Sequence, residues 1–240
     1  MRRRALVTGG SGGIGAAICK RLAREGHHVY VHANRSVEAA SAVVADITAA
    51  GGQAQIARFD VTNADKSRTA LEAILNDGPI QILVNNAGIH ADAVFPGMSP
   101  DQWHSVINTS VDGFFNVTQP LLMPMIRTRW GRIVNTSSIS AITGNRGQVN
   151  YAAAKGALNS ATKSLALEVA SRGITVNAVA PGIIATPMSE SAFDAETIGR
   201  MVPMKRAGLP EEVAGLVAYL TSDEAGYVTA QVISINGGMI

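Results

Sequence analysis

The chain contains 240 residues with a mass of 25.0 kDa, a length that allows one large domain or two small ones. Hydrophobic residues make up 47% of it and charged residues 16%, a composition that excludes a disordered chain. Its 20 Lys and Arg against 18 Asp and Glu leave a formal net charge of +2, too balanced for a general nucleic-acid binder. The single cysteine, Cys19, excludes an internal disulfide framework.

The apolar segments are too short to span a membrane. None approaches the roughly 18 residues that a transmembrane helix needs. The basic start, MRRR, is followed by only three apolar residues, which predicts no signal peptide. We therefore expect a cytoplasmic protein.

Seven short apolar runs recur along the chain and predict β-strands. They cover residues 5–7, 29–31, 54–59, 80–84, 133–134, 174–179 and 232–235, the third being the weakest. One strand in about 34 residues is the spacing of strand–helix units rather than of hairpins. Between the first two runs, Ile14, Ile18 and Leu22 share one helical face. This alternation predicts one doubly wound α/β domain over residues 1–240, with a seven-stranded parallel sheet and helices on both faces.

A glycine-rich loop, residues 8–15 with the sequence TGGSGGIG, joins the first predicted strand to the first helix. Glycines in this context permit a tight turn, the approach of backbone N–H groups to a pyrophosphate, and close packing of helix on strand. The alternative is a purely structural turn. We predict a dinucleotide-binding Rossmann domain whose loop contacts the cofactor through Gly9, Ser11, Gly12, Gly13, Ile14 and Gly15.

The same loop also fits G-x-S-x-G, the nucleophile elbow of α/β-hydrolases. That site needs a histidine late in the chain and an earlier loop that helps to form the oxyanion hole. Here the last histidine is His104, and only eight residues precede Gly9. The hydrolase interpretation is therefore rejected.

The loop after the second predicted strand indicates which dinucleotide binds. An acid at this place would hold the ribose 2′-hydroxyl of NAD, whereas a 2′-phosphate requires positive charge. The chain has Asn34 and Arg35 here and no carboxylate before Glu38. Arginine can bind a phosphate through two N–H groups. The alternative is that Arg35 is an ordinary surface residue. We favour phosphate binding, and therefore NADPH as the cofactor.

Tyr151 and Lys155 form the strongest catalytic signal, with Ser138 just past the fifth predicted strand. At i and i+4 of a helix, the lysine lies on the same face as the tyrosine. A cation about 4 Å from the phenol would lower its pKa by about three units, towards the range of an acid–base catalyst. A neighbouring serine hydroxyl can hydrogen-bond a carbonyl or a developing alkoxide.

In this order, the motifs resemble the short-chain dehydrogenase/reductase family along the whole chain. They are TGGSGGIG, then Asn85-Asn86-Ala87-Gly88, Ser138, Tyr151 with Lys155, and Pro181-Gly182 with Thr186. Three stretches, GNRGQVNYAAAKG, VASRGITVNAVAPG and INGGM, are similar to 3-oxoacyl-[acyl-carrier-protein] reductases. VHANRS and LLMPMIR further resemble ketoreductases of aryl polyene pigment clusters.

The resemblance implies a role for each matching residue. Tyr151 would protonate a carbonyl while NADPH delivers hydride, Ser138 would orient that carbonyl, and Lys155 would hold the cofactor ribose and lower the pKa of the phenol. Further cofactor contacts are implied at Asp60 and Val61 (adenine), at Asn86, Ala87 and Gly88 (adenosine ribose and central strand), and at Ile184 and Thr186 (nicotinamide carboxamide). Tyr151, Lys155, Pro181 and Gly182 complete the implied cofactor-binding residues.

One position departs from the family pattern. An asparagine that completes a proton relay to the lysine is replaced by Ser110 in the segment SVDGF. Serine keeps the main-chain carbonyl and can bond locally to the helix backbone, but lacks the amide's reach. Asn108 lies about 200° away on an α-helix and cannot substitute for it. We expect reduced but not abolished turnover.

The resemblance also implies partners. Arg129 and Arg172 match positions that bind an acidic acyl carrier protein, with Arg127 and Arg132 adding charge nearby, although single arginines are often ordinary surface residues. A homotetramer built partly from the Tyr151 helix is implied. Residues 183–205, rich in Ala, Ser, Thr and Met, are interpreted as a substrate lid.

Two other functions stay open. One is an alcohol, sugar or steroid dehydrogenase that uses the same catalytic residues. The other is a catalytically weak subunit that partners an active paralogue, and Ser110 is the only feature that favours it.

His27, His28 and His32 lack metal-ligand spacing, so no metal site is expected.

Overall fold

In the computed structural model, which describes residues 2–186 and 194–240, seven parallel strands form one sheet. They are β1 (Arg4–Val7), β2 (His28–Ala33), β3 (Gln53–Arg58), β4 (Ile82–Asn85), β5 (Gly131–Thr136), β6 (Ile174–Pro181) and β7 (Val232–Ile235). Their order in the sheet is β3-β2-β1-β4-β5-β6-β7. The predicted fold and all seven strands are confirmed, although the fourth begins at Ile82 rather than Ile80.

Helices connect the strands on both faces. They are α1 (Gly13–Arg24), α2 (Val37–Ala49), α3 (Ala64–Leu75), α4 (Pro100–Ile107), α5 (Gly113–Thr128), α6 (Ser140–Thr143), α7 (Val149–Val169), α8 (Ala195–Met201) and α9 (Pro210–Thr221). Single 3₁₀ turns lie at Phe95–Gly97 and Ala170–Arg172, and a π-helical turn at Asn108–Asp112 joins α4 to α5. No helix of the described residues has the length and apolarity needed to cross a bilayer.

The core consists of two layers, one on each side of the sheet. On one side α1, α2 and α9 pack on the strands, with Ile18 and Leu22 of α1 almost fully buried. On the other side α3, α5 and α7 pack through side chains such as Leu71, Leu121 and Val169. A sheet covered on both faces requires strands that are apolar throughout, which is why most of them were readable as continuous apolar runs.

Strand β3 has the weakest sequence signal because it lies at an edge of the sheet. Among the described strands it pairs only with β2, and Gln53, Ile56 and Arg58 are exposed. An edge strand is covered less completely than a central one, so it retains polar residues.

The chain reverses its direction of winding between β1 and β4, which are neighbours at the centre of the sheet. In such sheets the loops leaving the two strands separate and open a crevice for ligands. The two loops here are joined at their base, since the Thr8 hydroxyl accepts hydrogen bonds from Asn86 N (2.9 Å) and Ala87 N (3.0 Å). The glycine loop and the NNAG segment therefore border one crevice.

Candidate active site

The glycine loop has the geometry that its sequence predicts. Gly9 and Gly13 have φ values of +62° and +52°, a region that favours glycine. A Cβ on Gly15 would lie 2.1 Å from the carbonyl oxygen of Gly9, so only glycine lets α1 pack this closely on the loop. A Cβ on Gly12 would meet no atom of the described residues within 4 Å, so this part of the loop borders open space in the described structure.

That space suits a dinucleotide. It is a cavity of about 620 Å³ lined by Gly9, Gly12, Gly13, Ile14, Gly15, Asn86, Ala87, Gly88, His90, Thr136, Tyr151, Lys155 and Thr186. The amino end of α1 faces it, the first turn of the helix contains no acid, and Gly12 at the N-cap position has no side chain that could cap it. Uncapped N–H groups and the positive end of the helix dipole fit a pyrophosphate.

The residues expected to contact the adenosine part of the cofactor lie where β2 and β3 end. The Asp60 carboxylate accepts hydrogen bonds from Thr62 N (2.9 Å) and Thr62 Oγ1 (2.7 Å), and it is also hydrogen-bonded by Asn34. Burial alone would raise the pKa of Asp60, but the bonds from Thr62 and Asn34 outweigh it and lower the pKa. Arg35 is exposed on the same loop as Asn34. These residues, with Ser11 and Val61, lie outside the lining of the 620 Å³ cavity.

Ser138, Tyr151 and Lys155 come together as predicted. Ser138 follows β5, and its hydroxyl forms a hydrogen bond with the phenol of Tyr151 on α7. The backbone N–H of Ser140 donates to Ser138 Oγ over 3.2 Å and fixes this hydroxyl. One turn along α7, Lys155 Nζ lies 5.6 Å from the centre of the Tyr151 ring.

The expected lowering of the pKa of Tyr151 by Lys155 is not what the structure shows. Burial raises the pKa of Tyr151 to about 12, and the Ser138 hydrogen bond only partly opposes this. Lys155 is itself 2% exposed, and its Nζ donates to the carbonyl of Thr136 over 2.8 Å. Burial lowers the pKa of Lys155 to about 8. The charge-pair argument fails because it neglected the cost of removing both groups from water.

A second cavity, of about 380 Å³, adjoins the first. Its lining includes Ser138, Gln148, Pro181, Gly182, Ile184 and Met201. Tyr151 lines both cavities, together with Ile14, His90, Thr136 and Thr186. The phenol therefore stands where a dinucleotide in the first cavity would meet a substrate in the second.

Comparison with known proteins agrees with this geometry. The family model described as "short chain dehydrogenase" matches residues 3–197. The chain belongs to this family.

The relatives that match almost the whole chain include three named reductases. The 3-oxoacyl-[acyl-carrier-protein] reductase of Aggregatibacter actinomycetemcomitans is 44% identical over 239 residues, which cover 98% of each protein. The reductase of the same name from Synechocystis is 44% identical over 238 residues, 98% of this chain and 96% of the relative. The acetoacetyl-CoA reductase of Shinella zoogloeoides is 44% identical over 242 residues, 99% of this chain and 98% of the relative.

A polar cluster beside the phenol was missed by the sequence analysis. The His90 ring stacks on the Tyr151 ring with centroids 4.1 Å apart and an angle of 24°. Gln148 holds this histidine, because its Nε2 lies 3.2 Å from His90 Nδ1 and donates to Asp92 Oδ2 over 2.8 Å. The Gln148 oxygen in turn accepts from Ser140 Oγ over 3.0 Å. The cluster fixes the plane of the phenol ring.

Buried asparagines place α7 against the sheet. Asn85 on β4 donates to Asn135 on β5 over 2.9 Å, and Asn135 donates to Thr162 on α7 over 2.8 Å. Asn150, fully buried, donates to the carbonyls of Ala91 and Gln102, both over 2.9 Å. These bonds tie the helix that carries Tyr151 to β5 and to α4.

Ser110 lies in a different local structure from the one expected. The segment Asn108–Asp112 is a π-helical turn, so the α-helical angle assumed between Asn108 and Ser110 does not apply. The Ser110 hydroxyl is buried and makes no hydrogen bond to any described residue, so it does not form the local backbone bond of which a serine is capable. π-Helical turns often occur at functional sites.

The segment after β6 is described only in part. Pro181, Gly182 and Ile184 line the second cavity, and a Cβ on Gly13 would lie 3.4 Å from Thr186 Cγ2. Thr186 also lines the 620 Å³ cavity. Most of the predicted lid follows, and its residues 187–193 lie outside the described part of the chain.

The predicted partner arginines lie far from the phenol. Arg129 and Arg172 are exposed and neighbouring, since Arg129 Nη2 donates to the carbonyl of Ser171 over 3.1 Å. They precede β5 and β6, whereas Ser138 follows β5. Arg132 does not extend this patch, because it is 4% exposed, stacks over Trp130 and donates to the carbonyl of Ser222.

Proposed function

We propose that the protein is a cytoplasmic NADPH-dependent reductase that converts a 3-oxoacyl thioester, carried by an acyl carrier protein, into the 3-hydroxyacyl thioester. The position of Tyr151 at the junction of the two cavities carries the proposal. Full-length relatives named as 3-oxoacyl-[acyl-carrier-protein] and acetoacetyl-CoA reductases support the substrate class.

The proposed reaction assigns one task to each polar group. A nicotinamide cofactor supplies the hydride when bound. Tyr151 donates its phenolic proton to the carbonyl oxygen, and Ser138 donates a hydrogen bond to the same oxygen. Lys155 binds the cofactor ribose and, through its positive charge, stabilises the phenolate left by proton transfer. By its resemblance to the family position, the main-chain carbonyl of Ser110 is assigned to the proton route to Lys155, and the short serine side chain is expected to slow that route.

The loop after β2 supports NADPH as the cofactor. Arg35 is exposed between β2 and α2. The nearest acid along the chain is Glu38, in the first turn of α2. A guanidinium at the carboxyl edge of β2 can bind a 2′-phosphate in a bidentate manner, whereas NADH recognition would use an acid there.

A steady-state assay tests this function and the cofactor together. Purified protein is supplied with acetoacetyl and longer 3-oxoacyl carrier-protein thioesters, each with NADPH and with NADH, and compared with sugars, steroids and secondary alcohols. We expect turnover of the 3-oxoacyl thioesters with at least about tenfold preference for NADPH, because one charge-assisted contact to the 2′-phosphate contributes about that factor in affinity. A clear preference for NADH would overturn the cofactor assignment. Activity on alcohols or sugars alone would place the protein among other dehydrogenases, and inactivity without a paralogue would make it a partner subunit.

The acyl carrier protein is proposed to dock on Arg129 and Arg172. A strand rises about 3.3 Å per residue, so the length of β5 separates this patch from Ser138 by roughly 20 Å. The patch therefore lies at the amino ends of the strands, whereas Tyr151 of the same chain lies at their carboxyl ends. This position fits a homotetramer in which a carrier bound to one subunit reaches the site of another, and Leu167 on α7, which is 82% exposed, supports an interface on that helix.

Charge reversal tests the docking surface. The double variant Arg129→Glu/Arg172→Glu is expected to raise KM for a carrier-bound substrate about tenfold or more, because rim charges steer association with an acidic partner. Turnover of a free acetoacetyl ester should stay within about twofold, since the patch is remote from Tyr151. The control variant Arg24→Glu/Arg68→Glu makes the same charge change elsewhere on the surface. Equal losses on carrier-bound and free substrates would refute the docking site.

A further inference from the structure

His32, at the carboxyl end of β2, has both ring nitrogens engaged inside the protein. The side chain is buried, and its Nδ1 accepts a hydrogen bond from Gly9 N over 3.0 Å. Its Nε2 lies 3.0 Å from the carbonyl oxygen of Phe59, which can only accept. The ring is therefore neutral, with its proton on Nε2. In addition, the main-chain oxygen of His32 accepts from Gly10 N over 2.8 Å.

The imidazole joins two loops that border the proposed cofactor site. Strand β2 lies between β1 and β3. Gly9 belongs to the loop after β1, and Phe59 immediately precedes Asp60, on the adenosine side, after β3. The Phe59 ring also packs on the His32 ring, with centroids 4.2 Å apart. One side chain thus spans the pyrophosphate and adenosine sides of the site.

The glycine loop depends on such contacts for its shape. It has few side chains of its own, and Gly9 is in a left-handed conformation. On the β4 side, Asn86 Nδ2 donates to the carbonyls of Thr8 and Gly9, both over 3.1 Å. On the β2 side, the side chain of His32 and its main-chain carbonyl hold Gly9 and Gly10. The backbone N–H groups beyond them stay available for an anion.

We propose that His32 is a positioning residue for the dinucleotide, which sets the spacing between the glycine loop and the adenosine side by bonding Gly9 and Phe59 at once. The inference rests on the proposed cofactor. The tautomer is essential, because a proton on Nδ1 would point at the Gly9 N–H and break the bond. Burial supports the neutral form by lowering the pKa of His32 to about 4, although the Phe59 carbonyl and the Asp60 carboxylate favour protonation.

Cofactor binding without substrate tests the proposal. Fluorescence titration with NADPH is performed on His32→Leu, which removes both bonds, and on His32→Asn, whose Oδ1 can still accept from Gly9 N. We expect Kd to rise about tenfold in the Leu variant, because the partly buried Gly9 N–H loses its acceptor and the glycine loop loses its side-chain bond to β2, and about threefold or less in the Asn variant. At saturating NADPH, kcat should change by less than about threefold in both, since the catalytic residues are untouched.

Two further measurements separate positioning from general stability. His28→Leu, at the other end of β2, is the matched control, and its Kd is expected to stay within about twofold of wild type. Nitrogen NMR of the wild-type imidazole should show Nδ1 unprotonated and Nε2 protonated at pH 7. Unchanged NADPH affinity in His32→Leu, or a charged ring, would overturn the inference about His32 alone. A wild-type protein that binds neither NADPH nor NADH would overturn the proposed cofactor, and the role of His32 with it.

Discussion

Replacing Tyr151 by Phe is expected to lower kcat for a 3-oxoacyl thioester by about a thousandfold, because a positioned general acid contributes about a hundredfold to ten-thousandfold. The change removes only the hydroxyl. The ring can keep its stack on His90, so the Kd for NADPH should stay within about twofold. Steady-state kinetics and a fluorescence titration measure the two quantities separately.

The control for this variant is Tyr219→Phe, which removes the same hydroxyl from a partly exposed tyrosine on α9. It should leave kcat unchanged. Ser138→Ala should give an intermediate loss of about a hundredfold, since Ser138 donates a hydrogen bond to the carbonyl but transfers no proton. If Tyr151→Phe kept more than about a tenth of wild-type turnover, the phenol would not be the general acid.

The raised pKa of Tyr151 suits the reductive direction. With a pKa of about 12, the phenol is protonated throughout the neutral range and is ready to donate. The reverse reaction, oxidation of an alcohol, would need the phenolate, which burial disfavours. Proton transfer to the substrate leaves that phenolate for a moment, and the Ser138 hydroxyl and the Lys155 ammonium are the groups that would stabilise it. The lysine thus acts on the charge that develops in the reaction rather than on the resting phenol.

The features that could be predicted from the sequence are those whose signal is formed by residues close together in the chain. The central strands were readable because burial on both faces makes them apolar throughout, and the glycine loop was readable because its turn and helix packing exclude a Cβ at Gly15. Tyr151 and Lys155 are one helical turn apart. In each case the sequence signal lies within a few consecutive residues of the chain.

The parts that were missed depend on contacts between distant segments. His90 stacks on Tyr151 from a distant segment, and Asn85 on β4 donates to Asn135 on the adjacent strand β5. His32 joins the loops that follow β1 and β3. A single sequence contains no pattern for such pairs. The pKa of Tyr151 was predicted in the wrong direction for the same reason, because burial is a property of the assembled fold. The π-helical turn at Ser110 also lacked a signal in the sequence.

Burial of the Lys155 ammonium lowers the free energy of unfolding. Its Nζ donates to the carbonyl of Thr136 over 2.8 Å, and no ion pair to a carboxylate forms among the described residues. Burial lowers the pKa of Lys155 from 10.5 to about 8. A difference of that size means that keeping the ammonium charged at pH 7 costs about 3 kcal/mol of folding free energy.

We therefore expect Lys155→Met to abolish turnover and to stabilise the protein. Met fills a similar volume with a flexible apolar chain, and loss of the charge-assisted bond to Thr136 offsets about 2 kcal/mol of the cost, so the free energy of unfolding at pH 7 should rise by about 1 kcal/mol. Urea unfolding measures it, and Lys163→Met, at an exposed position on the same helix, should change it by less than about 0.5 kcal/mol. A destabilised Lys155→Met variant would show that the Thr136 bond outweighs the cost of the buried charge.

The difference in the free energy of unfolding between Lys155→Met and wild type is expected to depend on pH. Below pH 8 both the folded and the unfolded wild-type chain keep the Lys155 proton, so the cost of the charge is fully present. Between about pH 8 and 10.5 the folded chain releases that proton while the unfolded chain retains it, and the free energy of unfolding rises with pH from this group. Tyr151 acts in the opposite direction only above pH 10, where the unfolded phenol ionises. The advantage of Lys155→Met over wild type should therefore shrink between pH 8 and pH 10, and an advantage that stayed constant would mean that it does not come from the buried charge.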